Sequence, residues 1–218
     1  MAEAAAAEQL SHVIWSTLED TRERVPPGSG AMPLLMGRYN VPHFDAKGEA
    51  DHLFREAGVP TTRLLTSFYW DNMVSFGMGP KPGPDGRLVL TLPMADRKLA
   101  GIAAGDIGRC AFGVLDAGDK FIGRAVGIAG GHLTGAQMAA ELAKALGRPV
   151  DYNAVTWDQY RAFGFPGADD LANMFQYYCM FESDFCAARP LETSRALNPA
   201  LQTFAQWLAQ HKGRIPLA

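Results

Sequence analysis

His43 and Lys47 stand four residues apart in the run HFDAKGEADHLFREAG, a spacing that puts both on one face of a helix. An imidazole titrates near neutral pH and can pass a proton. A lysine on a helix beside a parallel sheet can hydrogen-bond ribose hydroxyls, or lower the pKa of a neighbouring acid through its charge. The plain alternatives are an N-terminal helix residue and a solvated lysine. Further along, Ser67 ends an apolar run and Phe68, Tyr69, Trp70, Asp71 and Asn72 follow. Aromatic rings can stack on a flat ring such as a nicotinamide, and Asn72 offers both a donor and an acceptor. The alternative is a packed aromatic corner. Ser16 and Thr17 close an earlier short run, His12 to Trp15. They either share the same crevice or only satisfy local backbone groups.

The elements that would position these groups read as α/β. A helix over 2–10, of strong helix formers, leads into a strand at HVIW. Residues 21–42 carry Pro26, Pro27, Gly28, Gly30, Pro33, Gly37 and Pro42, too many breakers for a regular element. A helix over 43–57 stops at Gly58, and a strand runs from Thr61 to Ser67. Ligands bind outside the carboxyl ends of parallel strands, which makes 43–73 the stretch to watch. Beyond it we expect a strand over 87–92, an irregular connection over 93–105, a helix capped by Asp106 and a strand over 125–129. Helices then follow Thr134 and Thr156, with a strand over 149–156 between them, and further helices span 168–182 and 199–211.

The chain has 218 residues, a net charge of -3 and three scattered cysteines. That length supports a sizeable core. The charge makes no electrostatic case for nucleic acid or an acidic membrane surface. Cys110, Cys179 and Cys186 have no CxxC spacing, so neither a disulfide scaffold nor a zinc site is expected. The alanine-rich, acidic N-terminus lacks a signal-peptide pattern, and no apolar run approaches a membrane span. The expected compartment is the cytoplasm, with the nucleus second.

Other apparent motifs carry less. GGHLTG (130–135) follows a strand and opens a helix, but its spacing fits neither dinucleotide nor P-loop patterns, and Thr134 has a sufficient role as a cap. Ser67 has no GxSxG context, and the other histidines have no metal-ligand spacing.

STLED (16–20), VPHFDAKGE (41–49), GVPTTRLLTSFYWDNM (58–73) and FGFPGADDLANMFQYY (163–178) together resemble the NmrA-like family. These are atypical relatives of the short-chain dehydrogenases that bind NADP. LPMADRKLAGIAAGDIG, FIGRAVGIA and RALNPALQTFAQWLAQHKG fit the same family in the same order. The resemblance implies a Rossmann-like parallel sheet over 1–130, with 76–99 contributing to a second, smaller, mostly helical lobe over 131–218, the two interlocked. It implies that Lys47 contacts the cofactor and that Tyr69, Trp70, Asp71 and Asn72 line its nicotinamide end, with Ser16, Thr17, Ser67 and Phe68 beside them. His43 stands where short-chain dehydrogenases carry their catalytic tyrosine, so catalysis, if any, would fall to His43 or Lys47.

The family's first strands, its glycine-rich turn and the basic residues that grip the 2′-phosphate have no counterpart in this sequence. The resemblance therefore implies an N-terminally truncated form, with a partial sheet, an open sheet edge and only a nicotinamide and ribose half-site for NADP. The function implied first is an NADP(H)-linked redox sensor of the kind tied to transcriptional regulation, non-catalytic and weak in cofactor binding. A reductase of quinones or enones and a protein-interaction module are the rivals. A protein partner is expected, with self-association as a further option.

Overall fold

The computed structural model describes residues 1–217. The chain runs α1 (Ala2–Ala7), β1 (Val13–Thr17), α2 (Pro42–Glu56), β2 (Thr61–Leu65), β3 (Phe68–Tyr69), α3 (Asn72–Ser75), β4 (Lys81–Pro82) and β5 (Leu88–Leu92). It continues with β6 (Lys98–Ile102), α4 (Ala104–Asp116), β7 (Ala125–Gly127), β8 (Gly131–Thr134), α5 (Gly135–Leu146) and β9 (Val150–Ala154). It closes with α6 (Trp157–Arg161), α7 (Ala168–Met180), α8 (Glu182–Ala187), α9 (Leu191–Leu197) and α10 (Phe204–His211). None of the helices among the described residues is long and apolar enough to cross a membrane.

The strands form three small sheets. The first, β1-β2-β7, is wholly parallel, and β1 pairs on one side only. Helices cover both of its faces, as a parallel sheet requires. On one face Trp15 stacks on Phe54 of α2 at 4.8 Å, and the Trp15 indole and the Thr17 hydroxyl both donate to Asp51 at 2.7 Å. On the other, Leu64 and Val126 pack with Cys110 and Val114 of α4. Gly48 is what lets α2 lie so close, because a Cβ there would collide with the backbone of Asp20.

The second sheet, β3-β6-β8, joins β3 to β6 in parallel and β6 to β8 antiparallel. The third, β4-β5-β9, pairs β5 with β9 in parallel, from Leu88↔Val150 to Leu92↔Ala154. Segments early and late in the chain thus share sheets, and one large apolar core runs from Phe44 through Trp70 and Leu90 to Phe175 and Trp207.

Several sequence expectations change here. The irregular connection over 93–105 contains β6, a buried strand whose small residues Ala100 and Gly101 hide its β character. They are small because the Trp70 indole lies directly over Gly101. GGHLTG contains β8 as well as the helix cap, and Gly130 is also pressed against Trp70, so packing explains that glycine without a phosphate. Asp106 does not cap α4, which begins at Ala104. It is fully buried inside the first turn and accepts hydrogen bonds from Asn198, Gln202 and Arg109. The helix expected over 199–211 is α10 alone, preceded by the separate α9.

Arg189, fully buried at the end of α8, ties this arrangement to the carboxyl ends of β1 and β2. Its guanidinium donates to both carboxylate oxygens of Glu19 at 2.7 and 2.9 Å and to the Thr66 carbonyl at 2.7 Å. It also lies over the Phe185 ring at 3.5 Å. Removing Arg189 leaves Glu19 without its partner. The Glu19 side chain is a quarter exposed and water can reach it, so the cost falls below that of a fully buried pair, to about 2–3 kcal/mol. Arg189→Leu is therefore expected to lower unfolding free energy by about that amount in urea titrations. A loss below about 1 kcal/mol, the size of an exposed ion pair, would contradict the clamp.

Candidate functional site

The principal cavity has a volume of ≈ 1020 Å³ and opens beside the ends of β1 and β2. That is at the upper end for small-molecule sites, which run to about 1,000 Å³. One wall is the outer face of α2, with His43, Phe44 and Lys47; the floor is Thr66 to Tyr69 and Asn72. The far wall comes from α7 and the loop before it, with Phe163, Phe165, Asp170, Leu171 and Met174. Phe76 to Gly79 and β5 close the remaining side.

Some polar groups that line this cavity lack protein partners among the described residues. Ser67 is only 5% exposed, and its hydroxyl is buried with no hydrogen bond. Asp170 Oδ1 is likewise buried and unpartnered. Lys47 forms no ion pair among the described residues, and burial pushes its pKa below the ordinary lysine value. The Asn72 side-chain amide also makes no hydrogen bond to the described residues. Buried polar groups are ordinarily satisfied, because each one left bare costs about 1–3 kcal/mol. Ser67 Oγ and Asp170 Oδ1 are covered by their neighbours, as are the equally unpartnered Arg161 Nε, Gln202 Oε1 and Trp207 Nε1 outside the cavity. The free polar groups at its surface are the partly buried Lys47 and Asn72.

His43 differs from these. Its Nδ1 meets Asp170 Oδ2 at 2.7 Å, so α2 and α7 touch at one edge of the cavity. A carboxylate on Nδ1 favours a proton there and leaves Nε2 as the free nitrogen. Among the described residues no group of three His, Cys, Asp or Glu side chains is placed to hold a metal.

The model of the NmrA-like family matches residues 1–208. The chain belongs to the NmrA-like family. Rat NmrA-like family domain-containing protein 1 is 43% identical over 58 residues, 27% of this chain and 33% of that protein. The NAD(P)H azoreductase of Xenophilus azovorans is 25% identical over 217 residues, 95% of this chain and 68% of the enzyme. The crystal structure of NmrA, a negative transcriptional regulator, matches with a TM-score of 0.74 at 19% identity, over 96% of this chain and 68% of that one. NmrA in complex with NADP matches at 0.72. The chain thus spans one to two thirds of the length of the curated relatives it matches.

Within this NmrA-like chain the structure sorts the residues singled out in the sequence. His43, Lys47, Ser67, Phe68, Tyr69 and Asn72 line the cavity. Trp70, Asp71, Ser16 and Thr17 do not. Trp70 is 2% exposed and turned into the core, between Phe204, Trp207 and the glycines of β6 and β8. Asp71 accepts from the Ala104 amide at 2.7 Å and so caps α4. Strand alternation turns Thr17 onto α2, where it bonds Asp51, and Ser16 to the opposite, exposed side. Tyr69 stays in the wall, its hydroxyl 3.2 Å from that of Thr66.

The residue that sequence reasoning missed is Asp170. It lies far along the chain from His43, and GADD carries no pattern linking it to 43–73 beyond the acidic start of a helix.

The unpaired Lys47 ammonium should cost stability. The folded protein releases the Lys47 proton at lower pH than the unfolded chain does, whose lysine stays near 10.5. Between those two pH values the unfolded chain binds more protons, so this contribution to stability rises with pH. Lys47→Met should be more stable than the parent at pH 7 by about 0.5–1 kcal/mol, a common gain when a functional-site charge is removed. That difference should shrink as pH climbs towards 10.5, measured as paired urea unfolding curves. A less stable variant at neutral pH would contradict this account of the site.

Proposed function

We propose that this NmrA-like chain is an NADP(H)-linked sensor that couples cofactor redox state to a protein partner, and that the cavity receives the nicotinamide and its ribose. The observation that carries the reading is the partly buried Lys47, without a protein partner among the described residues, in one cavity with Asn72 and the Phe68 and Tyr69 rings. A nicotinamide carries an amide with both donor and acceptor capacity, and its ribose carries two hydroxyls. Asn72 can give and take a hydrogen bond, and Lys47 can only donate. This donor set fits that end of the cofactor. When bound, a reduced nicotinamide supplies a hydride. The protein's share is to hold the ring against Phe68 and Tyr69 and keep the floor dry. The net charge of -3 gives no electrostatic support to direct binding of nucleic acid.

Residues 1–218 contain no glycine-rich strand–turn–helix to cradle a pyrophosphate. The adenylate half should therefore add little affinity. Titrating nicotinamide mononucleotide and NADP⁺ by ligand-observed NMR should give dissociation constants within about tenfold of each other, a difference of about 1.4 kcal/mol. Lys47→Ala should weaken both. A micromolar or tighter dissociation constant for NADP⁺ would overturn the half-site. Binding of the mononucleotide that ignores Lys47→Ala would overturn the cavity assignment.

A second reading is favoured by His43. An imidazole held through Nδ1 by a carboxylate presents Nε2 to the cavity and can give a proton to a substrate oxygen. This supports an NADPH-dependent reductase of quinones or enones, in line with the azoreductase among its relatives. NADPH oxidation against a small quinone panel separates the readings: turnover abolished by His43→Phe supports the enzyme, and no turnover with intact binding supports the sensor.

A further inference from the structure

Away from the cavity, α4 presents an outward face that the cofactor reading does not use. Its inner residues Asp106, Cys110 and Val114 are buried. Gly105, Gly108, Phe112 and Leu115 are all exposed, at alternating spacings of three and four. That is the spacing at which one helix packs along another. Phe112 is 68% exposed and Leu115 48%, more apolar surface than one helix face needs to show to water. The glycines are gaps beside them. A Cβ at Gly108 would meet nothing within 4 Å, and at Gly105 the nearest atom is Arg109 Nη1 at 4.0 Å. A groove of ≈ 840 Å³ runs along this face, walled on its far side by Thr193 and Ala196 of α9 and by Pro199 after it.

Large and small residues are ordered so that this face fits a copy of itself. In an antiparallel pair about a two-fold axis level with Cys110, Phe112 of one copy stands opposite Gly108 of the other, and Leu115 opposite Gly105. One register thus sets every large residue against a gap. Charge follows the same register. Helix side chains lean towards the N-terminus, and Arg109 does so, reaching back to Asp106 at 2.9 Å and to the edge of Gly105. In the pair, that places its guanidinium beside the exposed Asp116 of the other copy, a residue lining the same groove. From this we infer that α4 is a self-association face, on which two copies of this chain meet as a two-fold, antiparallel helix pair. Phe112 seats over Gly108, and Arg109 pairs with Asp116 between copies. The face supplies both halves of the fit, so a second copy needs nothing further. One helix pair makes a small interface, and the dimer should dissociate in the micromolar range. The inference does not depend on what the cavity binds.

The test is sedimentation velocity on the full chain from about 1 to about 100 μM, a range that brackets such dissociation constants. The parent should move from monomer to dimer across it. Phe112→Ala removes the projecting ring and Gly108→Leu fills the gap, and each alone should weaken association about tenfold or more. Both positions are exposed, and leucine is a better helix former than glycine, so neither change attacks the fold. An equal mixture of the two variants should associate again. One intact Phe112–Gly108 contact returns, and at the other the alanine lies against the new leucine. Asp116→Lys should weaken the dimer as well. A lysine in the last turn of α4 favours that helix, so a loss there is not one of folding. A parent that stays monomeric at about 100 μM overturns the inference and leaves the groove to a helix of another protein. A dimer that both single variants leave intact overturns it, because another face then joins the copies. A mixture no more associated than its components overturns it too, because the register is then wrong.

Discussion

A single buried guanidinium holds the working end of this molecule together. Arg189 reaches from the end of α8 to Glu19, just past β1, and to the Thr66 carbonyl, just past β2. Those two strand ends form the edge of the cavity. Gly127 of β7 makes the reach possible, because a Cβ there would strike the Ala188 carbonyl. An arginine suits this place because its planar fork serves a carboxylate with two donors and leaves a third for a carbonyl. A lysine could present only one ammonium to all three acceptors. The clamp joins residues separated by most of the chain, so a side chain from after α8 holds both strand ends.

The other wall depends on a buried carboxylate. Asp45, in the first turn of α2, is fully buried and accepts four hydrogen bonds: from the Thr21 amide and hydroxyl, and from the Asn40 and Val41 amides. These bonds draw both ends of the 21–42 excursion onto the helix that carries His43 and Lys47. From the opposite side, Asn173 and Gln176 of α7 donate to carbonyls of Pro33, Asn40 and Ala31 in the same excursion. A long segment full of prolines and glycines thus becomes the spacer that sets the distance between α2 and α7. That distance is the width of the cavity.

The polar groups around the cavity contrast with these two clusters. Asp45 and Arg189 have their hydrogen-bonding capacity met inside the protein. Lys47, partly buried at the cavity, has no partner among the described residues, and burial lowers its pKa. The fold thus pairs its fully buried structural ions and leaves a partly buried ammonium free at the cavity.

Much of the α/β order was legible in the chain. Periodicity and turn residues located α2, β2, β5, α5 and α7 to within a few residues, because each is set by local preference and by one apolar face. His43, Lys47, Ser67 and Asn72 were legible as candidates because helix spacing and strand ends follow from short stretches of sequence. β6 was not legible, since its small residues answer to the indole that crosses them and not to any β preference of their own. The orientation of Trp70 and Asp71 could not be read from their neighbours in sequence either. A core of glycines and a helix amide from distant segments claimed them. By itself the sequence determined which residues could do chemistry and on which elements they ride. Only the tertiary structure decided which of them share a cavity, and it added Asp170, because contacts between distant segments follow from packing and not from spacing along the chain.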